Sequence, residues 1–218
     1  MACLLTELRC PTGEFNFAPL HAAGMFPGGP CLSDYFVSSY TPTLNALLKA
    51  QQDLSSLPSV DTIKILLASV EHTFCPNAAP LPGTVHEIST IKSILDDKQA
   101  ASQSSAHAAV LYGAKSQTLK DELQDASILH LACHGVQDSS DPLQSGFLMA
   151  DEKLTIRDLM KLKLPKAFLA ILSACHTARG DDKQPDQTVH LAATMVFLGF
   201  KSVVATMWYV LALCMVIT

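Results

Sequence analysis

Ser127–Cys133 reads SILHLAC, and Ala167–Ser173 reads AFLAILS. Each is a short apolar run between polar or turn residues, with the length of a strand rather than a helix. Thr62–Val70 (TIKILLASV) is a third run of this kind, Val110–Gly113 a shorter one and Ser202–Trp208 (SVVATMW) a fifth. Runs without a polar face suit parallel strands covered on both sides. Between them lie helix signals. Thr84 with Glu87 three residues later is a capping-box pattern opening a helix through Leu95. Thr118–Leu123, Thr155–Leu162 and Thr188–Leu198 are further helical stretches. Alternating strands and helices predict an α/β fold: a mostly parallel β-sheet flanked by helices on both faces.

Upstream of this core the pattern is less regular. Leu4–Leu20 is expected to form two short strands around Pro11-Thr12-Gly13, and Pro27-Gly28-Gly29-Pro30 is a turn. Asp34–Ser39 is expected as a strand, followed by a helix with Pro42 in its first turn and Thr41 as cap. Gln51–Val60 and Asp96–Ser105 read as polar connections. A fragment Phe147–Met149 reads as a brief strand.

The chain has 218 residues, enough for one α/β domain with a well-buried core. Its apolar share of 49% and charged share of 16% lean toward burial. A net charge of −5 excludes nucleic-acid binding through a basic face and gives no attraction to anionic membrane surfaces. Seven scattered cysteines follow no disulfide framework, and MACLLTELRCPTGEF lacks the build of a secretory signal. These point to a reducing compartment, the cytoplasm, where one thiol can stay free and reactive. No glycine-rich phosphate loop is present, so no cofactor is expected. Ser202–Thr218 carries no charge. As a helix its 17 residues would rise only about 25 Å, short for a bilayer, so a buried strand is the expectation and a tail anchor the alternative.

Ligand sites in parallel sheets lie beyond the carboxyl ends of the strands. One apolar run ends in Cys133-His134-Gly135 and another in Ala174-Cys175-His176. A thiolate attacks carbonyls well once a neighbouring imidazole lowers the thiol pKa, and the same imidazole can protonate a leaving amine. Neighbouring strands could bring His134 and Cys175 together. Gly135 lets a carbonyl approach the backbone, so its N–H and that of Cys175 are candidate oxyanion donors. The plain alternative is a strand-end histidine bonded locally and a cysteine acting as a small buried hydrophobe. His130 shares a strand face with His134 but lies about 13 Å away. Without a Cys-x2-Cys or His-Glu-x2-His spacing, no metal site is expected.

HLACHGVQDSSDPLQSGFLMADEKLTIRDLMKLKL (His130–Leu164) resembles the histidine block of CHAT domains, and LAILSACHTARGD (Leu169–Asp181) their cysteine block. HLAATMVFLGFKSVVATMWYV (His190–Val210) is similar to the helix and strand that follow in that family. Upstream, CPTGEFNFAPLHAAG, DYFVSSYTPTLNALL and LPGTVHEI look like fungal-type CHAT sequences. The resemblance implies a single caspase-like domain over residues 1–218, in the peptidase clan that includes metacaspases and separase. It implies His134 as general base, Cys175 as nucleophile, and Gly135 with the Cys175 amide as oxyanion hole. The implied activity is that of a cysteine endopeptidase acting on protein or peptide substrates. TPR-type helical repeats, often fused to such domains, are candidate partners. The chain departs from the family at Asp186-Gln187, where Asp-Glu is usual. After Trp208 the family has an acidic residue, a further helix and an edge strand, where this chain has apolar residues. The domain is therefore expected to lack its final strand and helix. An inactive or truncated CHAT-fold interaction module is the alternative function. Asp138 and Asp141 in the loop after His134, and Asp181, Asp182 and Asp186 in the loop after Cys175, suggest a preference for Arg or Lys before the scissile bond.

Overall fold

The computed structural model describes residues 5–52, 63–102, 107–138, 140–174 and 191–205. In chain order they form β1 (Leu5–Arg9), β2 (Phe36–Tyr40), α1 (Leu44–Gln52), β3 (Lys64–Ser69), α2 (Pro82–Ser102), β4 (His107–Tyr112) and α3 (Ser116–Leu123). There follow β5 (Ile128–Val136), β6 (Gly146–Leu148), β7 (Lys153–Thr155), α4 (Ile156–Leu159), β8 (Leu169–Ala174), α5 (Leu191–Phe197) and β9 (Ser202–Ala205).

Five strands run parallel, in the order β4-β3-β5-β8-β9. β5 is the hub, pairing with β3 through Ile65↔Ile128 to Ser69↔Ala132 and with β8 through Ile128↔Leu169 to Cys133↔Ala174. Past that point β5 continues and takes an antiparallel partner: His134 faces Leu148, Gly135 faces Phe147 and Val136 faces Gly146 on β6. β6 in turn pairs with β7. This hairpin sits on the β3 side, because Met149 C=O accepts from Phe74 N–H and Ala150 N–H donates to Ala114 C=O.

Strand alternation sorts the hub into two faces. Leu129, Leu131 and Cys133 are at most 1% exposed and join Leu66, Ala170 and Leu172 in the main core. That core is closed by Leu119 and Leu123 of α3, Ile156 and Leu159 of α4, and Leu191 and Met195 of α5. Burying each such leucine contributes about 1.5–3 kcal/mol. The opposite face is covered by α2, where Ile88 packs with Leu67 and Ala132, and Ile91 and Leu95 extend the contact. The mostly parallel α/β sheet with helices on both faces is the observed architecture.

Several boundaries differ from expectation. β5 does not stop at Cys133, because its end finds a new edge partner in β6. β7 supplies that hairpin's second strand, so Thr155 closes a strand and caps a short α4 by accepting from Asp158 N–H. α2 begins at Pro82 and runs to Ser102, through the stretch read as a polar connection. Ala, Lys and Gln there are good helix formers, and Lys92 pairs with Asp96 one turn on. Thr43, not Thr41, caps α1 by accepting from Ala46 N–H at 3.0 Å. The expected pair of strands within Leu4–Leu20 is one strand followed by 3₁₀ turns. Its partner is β2, parallel and 31 residues on, in register Leu5↔Phe36 to Arg9↔Tyr40. β9 is described only to Ala205, and residues 206–218 lie outside the described part. Among the described residues no helix is long and apolar enough to cross a membrane.

Candidate active site

His134 lies near the carboxyl end of β5, on the face turned to α2. It is half-buried. Its Nε2 is 2.7 Å from the carbonyl oxygen of Ala79, in the loop between β3 and α2. A carbonyl can only accept, so Nε2 carries the hydrogen and the neutral ring has its lone pair on Nδ1. The contact fixes both the orientation of the ring and the nitrogen able to take a proton.

Cys175 follows Ala174, the last residue of β8, and falls outside the described residues, as do His176, Asp181, Asp182 and Asp186. Gly135 is the residue after His134 on β5, opposite Phe147 of β6. The ladder between β5 and β8 places Cys133 beside Ala174, so its last described rung directly precedes both candidate residues in the chain.

Below His134 on the same face lies a buried polar cluster. His130 is 5% exposed, and its Nε2 sits 2.7 Å from Glu87 Oε1 of α2. Ser173 on β8 donates its hydroxyl to the same oxygen at 2.5 Å. Glu87 therefore does not close the expected capping box. The Thr84 N–H instead donates to Leu81 C=O at 3.1 Å, and the Thr84 hydroxyl to the same carbonyl at 2.7 Å. The glutamate turns to the sheet because it flanks the helix stripe of Thr84, Ile88, Ile91 and Leu95, which faces the strands. That stripe was visible in the sequence; the partners of Glu87 were not. Ala79 acts through its backbone and had no sequence signal.

The acidic loop after His134 is engaged with itself. Asp138 Oδ1 accepts from the Ser140 hydroxyl at 2.5 Å, the Ser140 N–H at 2.9 Å and the Asp141 N–H at 3.0 Å. These donors, the Ser140 hydroxyl foremost, hold the Asp138 carboxyl below the usual carboxylate range. Asp141 caps the turn at Pro142–Gln144 and pairs with Arg157 at 3.1 Å. Neither is an uncommitted carboxylate awaiting a basic substrate side chain. Among the described residues no group of three or more His, Cys, Asp or Glu side chains is placed to hold a metal ion.

No curated protein matches the chain's sequence. The family model for the CHAT domain matches residues 8–212, which includes β5, β8, β9 and the whole of the His134 site. With a mixed α/β sheet of caspase-like type beneath that match, the chain belongs to the CHAT domain family.

Proposed function

We propose that this CHAT domain is a cysteine endopeptidase with Cys175 as nucleophile and His134 as general base. One observation carries the reading: every one of the six described pairs between β5 and β8 joins positions 41 apart. His134 and Cys175 are also 41 apart. The reading extends this register one rung beyond Cys133↔Ala174, where strand alternation would turn both residues to the α2 face. The Ala79 tether supports the same reading, since it leaves Nδ1 as the basic atom.

In this mechanism His134 Nδ1 takes the Cys175 thiol proton, and the thiolate attacks the substrate carbonyl carbon. The oxyanion is met by the N–H groups of Gly135 and Cys175. The imidazolium returns its proton to the leaving amine, and water hydrolyses the thioester. The cytoplasm is the proposed setting, in keeping with the free thiols of Cys10, Cys31 and Cys75. The test is labelling with a thiol-reactive peptide electrophile, followed by mapping of the modified residue. Cys175 is expected to react ahead of the other six cysteines, and His134→Ala to slow it by at least about a hundredfold. Even labelling of several cysteines, indifferent to His134→Ala, sinks the proposal.

The second reading, an interaction module, is favoured by the apolar side chains exposed in the N-terminal part, among them Phe15, Met25, Phe26 and Leu44. It predicts a folded protein whose Cys175 is no more reactive than its neighbours.

A further inference from the structure

The geometry points to Glu87 as a positioning residue for both halves of the Cys175–His134 pair, a role that rests on the peptidase reading above. Its Oε1 is one acceptor shared by two strands, bonded to His130 on β5 and Ser173 on β8. His130 precedes His134 by four residues, and Ser173 precedes Cys175 by two. The same segment of chain that carries Glu87 also holds His134. Thr84 ties Leu81 to the start of α2, and Leu81 N–H donates to Glu71 C=O, just past β3, at 3.0 Å, so the loop that carries Ala79 is tied to both helix and sheet. One loop and the first two turns of one helix thus reach His134, His130 and Ser173.

The β5–β8 ladder sets the height of one strand against the other. It does not set how closely α2 approaches them, and the Ala79 carbonyl depends on that approach. Apolar packing of Ile88, Ile91 and Leu95 brings the helix to the sheet, and Glu87 adds a directional hydrogen-bonded restraint to both strands. The side chains of His130 and Glu87 are only 7% and 17% exposed, so removing the acceptor costs the buried His130 ring its carboxylate partner. The helix then moves relative to the sheet. A displacement of roughly 1 Å is enough to spoil a productive alignment of reacting groups.

The experiment measures the rate of Cys175 alkylation by iodoacetamide against pH, with the site mapped by mass spectrometry and folding followed by circular dichroism. In the parent protein the inflection should lie below that of an ordinary thiol and depend on His134. Glu87→Ala is expected to slow alkylation near pH 7 on the order of tenfold and to move the inflection upward. Glu87→Gln keeps an acceptor oxygen and is expected to retain the parental inflection. Ser173→Ala removes only the β8 arm and should shift the inflection the same way by less; it serves if Glu87→Ala does not fold. A parent profile that depends on His134 but is untouched by Glu87→Ala and Ser173→Ala overturns the positioning role alone. A parent whose Cys175 titrates like the other thiols overturns the peptidase reading and this role with it.

Discussion

The two ends of this chain are built on different terms. From β3 onward, buried residues form a core on each face of the sheet, and Leu66, Leu129 and Ala170 have no exposed surface. In the N-terminal part, residues 5–52, the described buried residues are Arg9, Thr41 and Ala46. There Leu5, Phe15, Met25, Phe26, Val37 and Leu44 are more than half exposed. β1 and β2 pair with each other and not with the central sheet. A cavity of about 510 Å³ lies between this part and the α5–β9 edge, lined by Leu8, Tyr40, Leu47, Val196 and Val203 among others. Both parts have strands and helices; only one has a core. Stability here follows shared burial, not the count of secondary-structure elements.

The largest expected contrast tests that statement directly. Leu131→Ala, in the centre of β5, should cost about 2–5 kcal/mol in urea unfolding. Leu8→Ala, at the edge of the cavity, should cost no more than about 0.5 kcal/mol. Similar losses would show that the N-terminal part is as integral to the cooperative unit as the hub.

Two glycines give the next, smaller contrast. A Cβ on Gly146 would stand 2.2 Å from the Leu154 carbonyl oxygen across the β6–β7 hairpin. Gly146→Ala should therefore destabilise by about 1–3 kcal/mol. It should also slow Cys175 alkylation, because β6 pairs with β5 at His134. Gly13 has a φ of +57° and nothing near its missing Cβ, so Gly13→Ala meets only backbone strain, about 1 kcal/mol. Alkylation should be unaffected there. A Gly13→Ala variant with impaired alkylation would break the separation between the two parts.

The smallest effect concerns pH. Asp138 in the β5–β6 loop and Asp34 in the N-terminal part are both held below the usual carboxylate range, Asp34 by the Cys31 N–H and then the Cys31 thiol. A lowered folded value means each stabilises above the ordinary carboxylate value of 3.8, and that contribution is lost as pH falls through the folded value. Asp138→Asn should lower the main Tm slightly at pH 6, and the gap to the parent should close at strongly acid pH. Asp34→Asn should leave the main Tm unchanged at both. A shift of equal size from Asp34→Asn would tie the N-terminal part into the main transition.

How much of this was legible beforehand follows the same division. The SILHLAC and AFLAILS runs announced β5 and β8 because both faces of each are buried or partly buried, and that leaves a mark along the whole run. The parallel pairing of β1 with β2 left no such mark, since its two strands are separated by 26 residues and expose much of their apolar surface. The extension of β5 through Gly135 was also hidden, because an antiparallel partner appears only when the chain returns at Gly146.

The sequence alone determined the α/β class, the order of the central elements and the identity of His134 and Cys175 as candidates. These rest on local patterns of burial and on residue chemistry carried by the chain itself. Tertiary structure decided the surroundings: the Ala79 carbonyl comes to His134 from 55 residues away, and Glu87 meets His130 and Ser173 across 43 and 86. A hydrogen-bonding group carries no record of its partner along the chain. Which acceptor fills a given donor is settled only when helix and sheet pack and exclude the water that would otherwise serve.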